Sequence, residues 1–181
     1  MLEILSGWNA SFDKTSVGAT VYNRWNIQFN RSLFHKYVSD DDQRMASCEN
    51  YHWSDTLQRM ISSVLTEKEE SHFQTICEGA HPIYSGKNPC AFNIAMALIE
   101  TKEFLNSKVS PNPSKWLWGD LHVNEYVNLP WSRTPLKPFF HKAVATPGND
   151  NTPNVSKLSL RKNKDEVVMK STSSANFKML V

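Results

Sequence analysis

Apolar residues at 17, 21, 22, 25, 29, 33, 34 and 37 recur every three or four positions through "SVGATVYNRWNIQFNRSLFHKYV", residues 16–38. That spacing winds onto one face of an α-helix rich in aromatics, with Thr15 and Ser16 as candidates for its N-cap. The polar run "SDDDQ" ends it. Leu57, Met60, Ile61, Val64 and Leu65 predict a second, shorter amphipathic helix over 54–65. The "TEKE" of 66–69 has a capping-box pattern that starts another turn or two, halted by Gly79. The loop "HPIYSGKNP" leads into the clearest helix, 90–107, with Ala91, Ile94, Ala95, Leu98 and Leu105 at helical spacing. Pro111 and Pro113 close it, because proline lacks the amide a helix needs.

The pattern then changes. Between 116 and 154, prolines at 130, 135, 138, 147 and 153 and glycines at 119 and 148 interrupt the chain too often for long elements. Extended connections are the reading there. Residues 155–160, 166–170 and 175–181 read as three strands. The fold class is therefore α+β in a single unit: about 1–110 mainly helical, about 111–154 extended and proline-rich, about 155–181 strands. The last stretch, "ANFKMLV", stays apolar up to Val181 without a turn signal. It is expected to be an interior strand of a longer chain, and such an edge is expected to pair with another polypeptide.

Length and composition narrow the class. A chain of 181 residues can bury a core, and 40% apolar with 21% charged residues excludes a disordered composition. The net charge of +2 is uneven: from Lys142 onward there are seven Lys and Arg against three Asp and Glu. The basic residues carry no glycine- or aromatic-rich recognition pattern, so a solvated face is preferred to nucleic-acid binding. No signal-peptide pattern and no membrane-length apolar run occurs, which leaves the compartment open.

Chemistry is sparse. Cys48, Cys77 and Cys90 are an odd number, and a disulfide framework is not expected at this size. His72, Cys77, His81 and Cys90 match none of the usual zinc spacings, so core cysteines and surface histidines are the reading. Asp40-Asp41-Asp42 lacks the Gly and Glu of a calcium loop. Asp120, His122 and Glu125 lie close in sequence, but no nucleophile is paired with them. There is no phosphate loop and no dinucleotide fingerprint. The tryptophans at 8, 25, 53, 116, 118 and 131 read as core packing rather than an acyl pocket. Gly119 is expected to supply a special backbone angle, and His122 to be a hydrogen-bonded structural histidine. On this reading no residue is assigned a catalytic, cofactor or metal role.

At "KWLWGDLH" the sequence resembles a known family. Trp116-Leu117-Trp118-Gly119 followed by His122 looks like the W-x-W-G-x-x-H stretch of the penicillin amidase (penicillin acylase) family. Three further stretches follow in order. "LSGWNASFDKTSVGATVYNRW", with Trp8 and Trp25, resembles the family's L-x-x-W-D/N-G segment and the long helix after it. "TPGNDNTPN", with Gly148, Thr152 and Asn154, resembles its Pro-Gly-Gly…Thr-x-Asn loop. "SANFKMLV", with Lys178, resembles its G-A-S-Y-R strand. Departures occur too: Asn9-Ala10 for Asp-Gly, Pro153 inside Thr-x-Asn, Ser174 for Gly and Lys178 for Arg. They point to relaxed demands on local geometry.

The resemblance implies an N-terminal-nucleophile hydrolase, in which a self-processed chain exposes a Ser whose own α-amino group is the base for attack on an amide carbonyl. It also implies that the nucleophile, the oxyanion-hole donors and the family's calcium ligands lie upstream of Leu5, on a partner segment that completes the sheet beside 175–181. Three readings stay open: a segment of such a hydrolase, inactive alone; a non-catalytic structural or assembly subunit; and a truncated product with no independent role.

Overall fold

The computed structural model describes residues 1–34, 77–78, 88–126, 130–149, 152–153, 155–158 and 167–174. The helices predicted over 54–65 and from 66, and the strand over 175–181, lie outside them.

The amino-terminal part is helical. A short α1, Leu2–Ser6, precedes α2, Val17–Phe34; five residues are too few to show a period, so α1 was not expected. Ser16 caps α2, its Oγ accepting from the Ala19 amide at 3.1 Å. The next described helix, α3, is Pro89–Lys108. Asn88 caps it by accepting from the Ala91 amide at 3.0 Å, and Pro89 takes the first-turn position where its missing N–H costs nothing.

The helices α2 and α3 pack on each other. The face α3 buries is Cys90, Asn93, Ala97, Thr101 and Leu105, one step round from the apolar stripe. Small and polar residues let the two helices approach, while bulkier Ile94 and Leu98 flank the contact. Asn93 Nδ2 donates to the Cys77 carbonyl at 3.1 Å, which satisfies the amide nitrogen of this buried side chain. Cys77 is bonded to Cys90. The reading of both as free core cysteines is thus corrected: the pair forms one disulfide, joining the start of α3 to the segment before it. His72 and His81 lie outside the described residues.

Gly18 sits in the first turn of α2 directly beneath the Trp8 indole, where a Cβ would overlap the ring. Alanine is the better helix former by about 1 kcal/mol. Even so, Gly18→Ala is expected to lose about 1–2 kcal/mol through overpacking, read as a lowered midpoint in urea denaturation. An unchanged or raised midpoint means that Trp8 shifts freely.

The carboxy-terminal part is a sheet. After a 3-10 turn at Pro113–Lys115 and the four-residue α4, Trp118–Leu121, come β1, His122–Tyr126, α5, Lys137–Phe140, and β2, Lys142–Ala145. Two more strands, β3, Ser156–Leu158, and β4, Met169–Ser174, complete a sheet of order β2-β1-β4-β3. β1 runs antiparallel to β2 and parallel to β4, and β3 is antiparallel to β4. The chain is α+β, helices before strands.

Two expectations are corrected here. The stretch read as extended connections holds two paired strands and two helical turns; the strands and α4 are short enough to fit between its prolines, and α5 takes Pro138 in its first turn, where a missing N–H is tolerated. The strand read at 166–170 starts later and runs further, because its register is set by β1, with His122 opposite Met169 and Asn124 opposite Ser171.

Candidate functional site

Most of the residues singled out in the sequence meet where the loop before α2 is held by two later segments. The Trp118 amide donates to the Ser16 carbonyl at 3.1 Å, and the Gly119 amide to the Lys14 carbonyl at 2.7 Å. Farther along, the Gly148 amide donates to the Phe12 carbonyl at 2.9 Å. Gly119 does not have the special backbone angle expected of it; only Gly148 among the described glycines has positive φ, at 86°. What Gly119 provides is proximity, since a Cβ there would stand 2.8 Å from the Lys14 Cβ and 3.1 Å from its carbonyl oxygen.

Trp118 lies at the centre, fully buried. Its indole N–H donates to the Gly148 carbonyl at 3.1 Å. One side of the ring meets the edge of Phe12 with centroids 5.6 Å apart, and another stacks on His122 at 4.4 Å. Phe12 in turn packs edge-on against Trp8, whose own indole N–H donates to the Ser11 carbonyl at 2.9 Å. The Gly148 loop is held by Thr152, whose Oγ1 accepts from the Asn149 amide at 2.9 Å and donates to its carbonyl at 3.2 Å.

His122 is 0% exposed and uses both ring nitrogens. Nδ1 lies 2.7 Å from the Thr146 carbonyl oxygen and Nε2 lies 3.3 Å from Ser156 Oγ. A carbonyl can only accept, so the proton of the neutral ring sits on Nδ1 and the Ser156 hydroxyl donates to Nε2. Connectivity of this kind, serine to histidine to acceptor, is that of a hydrolytic triad. Its surroundings are not. Ser156 is also 0% exposed, so no substrate carbonyl can reach its oxygen, and the third member is a backbone carbonyl, not a carboxylate. The arrangement is a tie joining β1, the end of β2 and β3.

The other sequence candidates fall elsewhere. Trp25 belongs to the contact between α2 and α3, its indole N–H donating to the Ile94 carbonyl at 3.1 Å. Trp116 is buried, with its N–H on the Ser110 carbonyl at 2.8 Å. Asp120, His122 and Glu125 do not converge: Asp120 is exposed, and alternation along β1 sends His122 and Glu125 to opposite faces. Glu125 meets His141 instead, at 3.7 Å. Asn154 and Lys178 lie outside the described residues. Phe12, Thr146 and Ser156 are the members of the cluster not singled out in the sequence, although Phe12 and Thr146 lie inside the stretches that resemble the family.

Ala10 revises the view of relaxed local geometry. It has φ of +59°, the left-handed region that an L side chain enters at a cost of about 1–2 kcal/mol. The turn beneath it is well tied, with the Asn9 side chain accepting from the Ser11 amide at 3.0 Å and the Ser11 hydroxyl donating to Asp13 at 2.6 Å. Ala10 thus holds a conformation that glycine suits better. Ala10→Gly is expected to stabilise the chain by about 0.5–1 kcal/mol, after glycine's larger unfolded-state entropy is set against relief of strain. Thermal unfolding checks it; a lowered midpoint removes the strain.

Among the described residues no helix is long and apolar enough to cross a membrane. No curated protein and no solved structure matches the chain. A family model described as penicillin amidase matches residues 1–181. With the resemblance of its Trp-x-Trp-Gly-x-x-His stretch and that match over the whole length, the chain belongs to the penicillin amidase family.

Proposed function

We propose that this chain is a scaffold segment of an amide-bond hydrolase of the N-terminal-nucleophile type, whose nucleophile is carried by polypeptide outside this sequence. The family relationship supports the reaction class, hydrolysis of a linear acyl-amine bond. The observation that carries the division of labour is the burial of the Ser156–His122 pair: the one triad-like set among the described residues faces no solvent. The contribution of these residues is to hold the loop before α2, α4 and the sheet in a fixed relation, on which a reactive centre can be built.

A second reading is supported by Ala10. A residue that costs stability at a family landmark is tolerated more readily where no reaction geometry is at stake, as in a non-catalytic subunit of a larger assembly.

The test is reconstitution. The purified chain is assayed against a phenylacetyl amide and a long-chain acyl amide, alone and after co-expression with whatever polypeptide is encoded beside it. No turnover alone, and turnover with a partner whose mature N-terminus is Ser, Thr or Cys, is the expected outcome. Hydrolysis by the chain alone overturns the proposal. A stable assembly with no such N-terminus and no turnover establishes the structural subunit.

A further inference from the structure

Large apolar side chains left in water are concentrated in one place. Of the nine that stand exposed among the described residues, six lie between positions 126 and 144: Tyr126, Trp131, Leu136, Phe139, Phe140 and Val144. Phe139 is 75% exposed. Trp131 and Phe140 stack with centroids 5.5 Å apart and planes 19° from parallel, which gives the patch a flat aromatic platform. Exposed apolar side chains concentrated in this way mark an interaction site.

Charge restricts what covers it. Residues 126–149 contain Arg133, Lys137 and Lys142 and no Asp or Glu. The nearest carboxylate before them, Glu125, faces His141. A second copy of the same surface would bring these cations against their own kind, which disfavours a symmetric pair.

The backbone restricts it further. β2 is at the edge of the sheet, and among the described residues it pairs with β1 alone. The Thr146 amide donates to the His122 carbonyl at 3.0 Å, so 122 and 146 are a hydrogen-bonded pair. Alternation in an antiparallel ladder makes 124 with 144 and 126 with 142 the next such pairs. The amide and carbonyl groups of Ala143 and Ala145 therefore point away from β1, toward where another strand would lie. An anionic lipid surface matches the charge and the aromatics but brings no strand to these groups.

We propose that the β2 edge and the aromatic turn beside it, 130–142, dock an extended segment of another polypeptide in which acidic and apolar residues alternate, by strand addition. This names a partner-facing surface for the assembly and rests on the proposed function only for which polypeptide fills it. Main-chain bonds to Ala143 and Ala145 supply register, the aromatic platform takes the apolar side chains, and Lys137 and Lys142 take the acidic ones.

A display library of random linear peptides, selected on the full chain, tests it. Enrichment of peptides alternating Asp or Glu with Val, Ile or aromatics is expected, with hydrogen exchange at Ala143 and Ala145 slowed on binding. Lys137→Glu with Lys142→Glu alters only exposed side chains and is expected to weaken the selected peptide by about tenfold; Phe139→Ser with Phe140→Ser is expected to cost at least as much. No enrichment, or enrichment indifferent to charge, overturns the proposal. So does co-sedimentation of the chain with phosphatidylglycerol vesicles that competes with the peptide, which makes the surface a lipid site. Enrichment without hydrolysis in any reconstituted assembly sinks the enzymatic reading and leaves the docking surface; hydrolysis without enrichment does the reverse.

Discussion

Trp118→Ala is expected to lower stability by about 4 kcal/mol, near the upper range for truncating a buried aromatic. The indole is fully buried, and its removal empties the space between Phe12 and His122. It also leaves the Gly148 carbonyl without its donor at a loop that the Phe12 carbonyl already anchors. A loss of that size approaches the whole stability of many domains, so the variant is expected in the insoluble fraction, or with near-ultraviolet dichroism abolished. Trp118→Phe keeps most of the packing and forfeits the hydrogen bond. It is expected to stay folded with a loss of about 2 kcal/mol. If Trp118→Ala stays folded with an unfolding midpoint close to wild type, the centre of the cluster has been misplaced.

His122→Leu is the second large effect, and it separates a structural histidine from a catalytic one. Leucine fills part of the volume but orphans two buried groups, the Thr146 carbonyl and the Ser156 hydroxyl, at about 1–3 kcal/mol each. A total near 3 kcal/mol is expected, read by denaturant titration. Ser156→Ala alone is expected to cost about 1 kcal/mol. In the His122→Leu background it is expected to cost nothing or to recover stability, because the orphaned hydroxyl is removed with it. Such a double-mutant cycle reports the bond whether or not any activity is present. In a reconstituted active assembly, loss of turnover at unchanged stability would instead make His122 part of the chemistry.

How far the sequence led can be argued from these same residues. The period of 16–38 pointed to α2, described as far as Phe34, and that of 90–107 to α3, because a long apolar stripe stands out whatever happens at its ends. The choice of face on α3 was not legible. Ile94 and Leu98 are more apolar than Asn93 and Thr101, yet close approach of α2 favours the smaller residues, and that depends on a partner such as Trp25, 69 residues from Ile94, not on local pattern. Strands of four or five residues between prolines give too few alternations to stand out, so β1 and β2 were missed. The node around Trp118 was marked through the resemblance, by Trp118, Gly119, His122, Gly148 and Thr152. Its chemistry was not: whether a buried serine faces a histidine depends on the register of β3, which no window of residues contains. The disulfide escaped for a similar reason, since an odd count of cysteines does not say which two are near.

The strap formed by residues 8–16 has a consequence for synthesis. It is clamped from one side by Trp118 and Gly119 and from the other by Gly148, all far downstream. On a ribosome, this strap emerges well before Trp118, Gly119 and Gly148 exist to clamp it. Contacts with such long sequence separation slow folding, because the intervening chain must be gathered first. During that interval the side of Phe12 that meets Trp118 stands uncovered, and the strap is open to chaperones and proteases. Closure comes late, when the Gly148 amide reaches Phe12, so the strap is secured only by residues made well over a hundred positions after it.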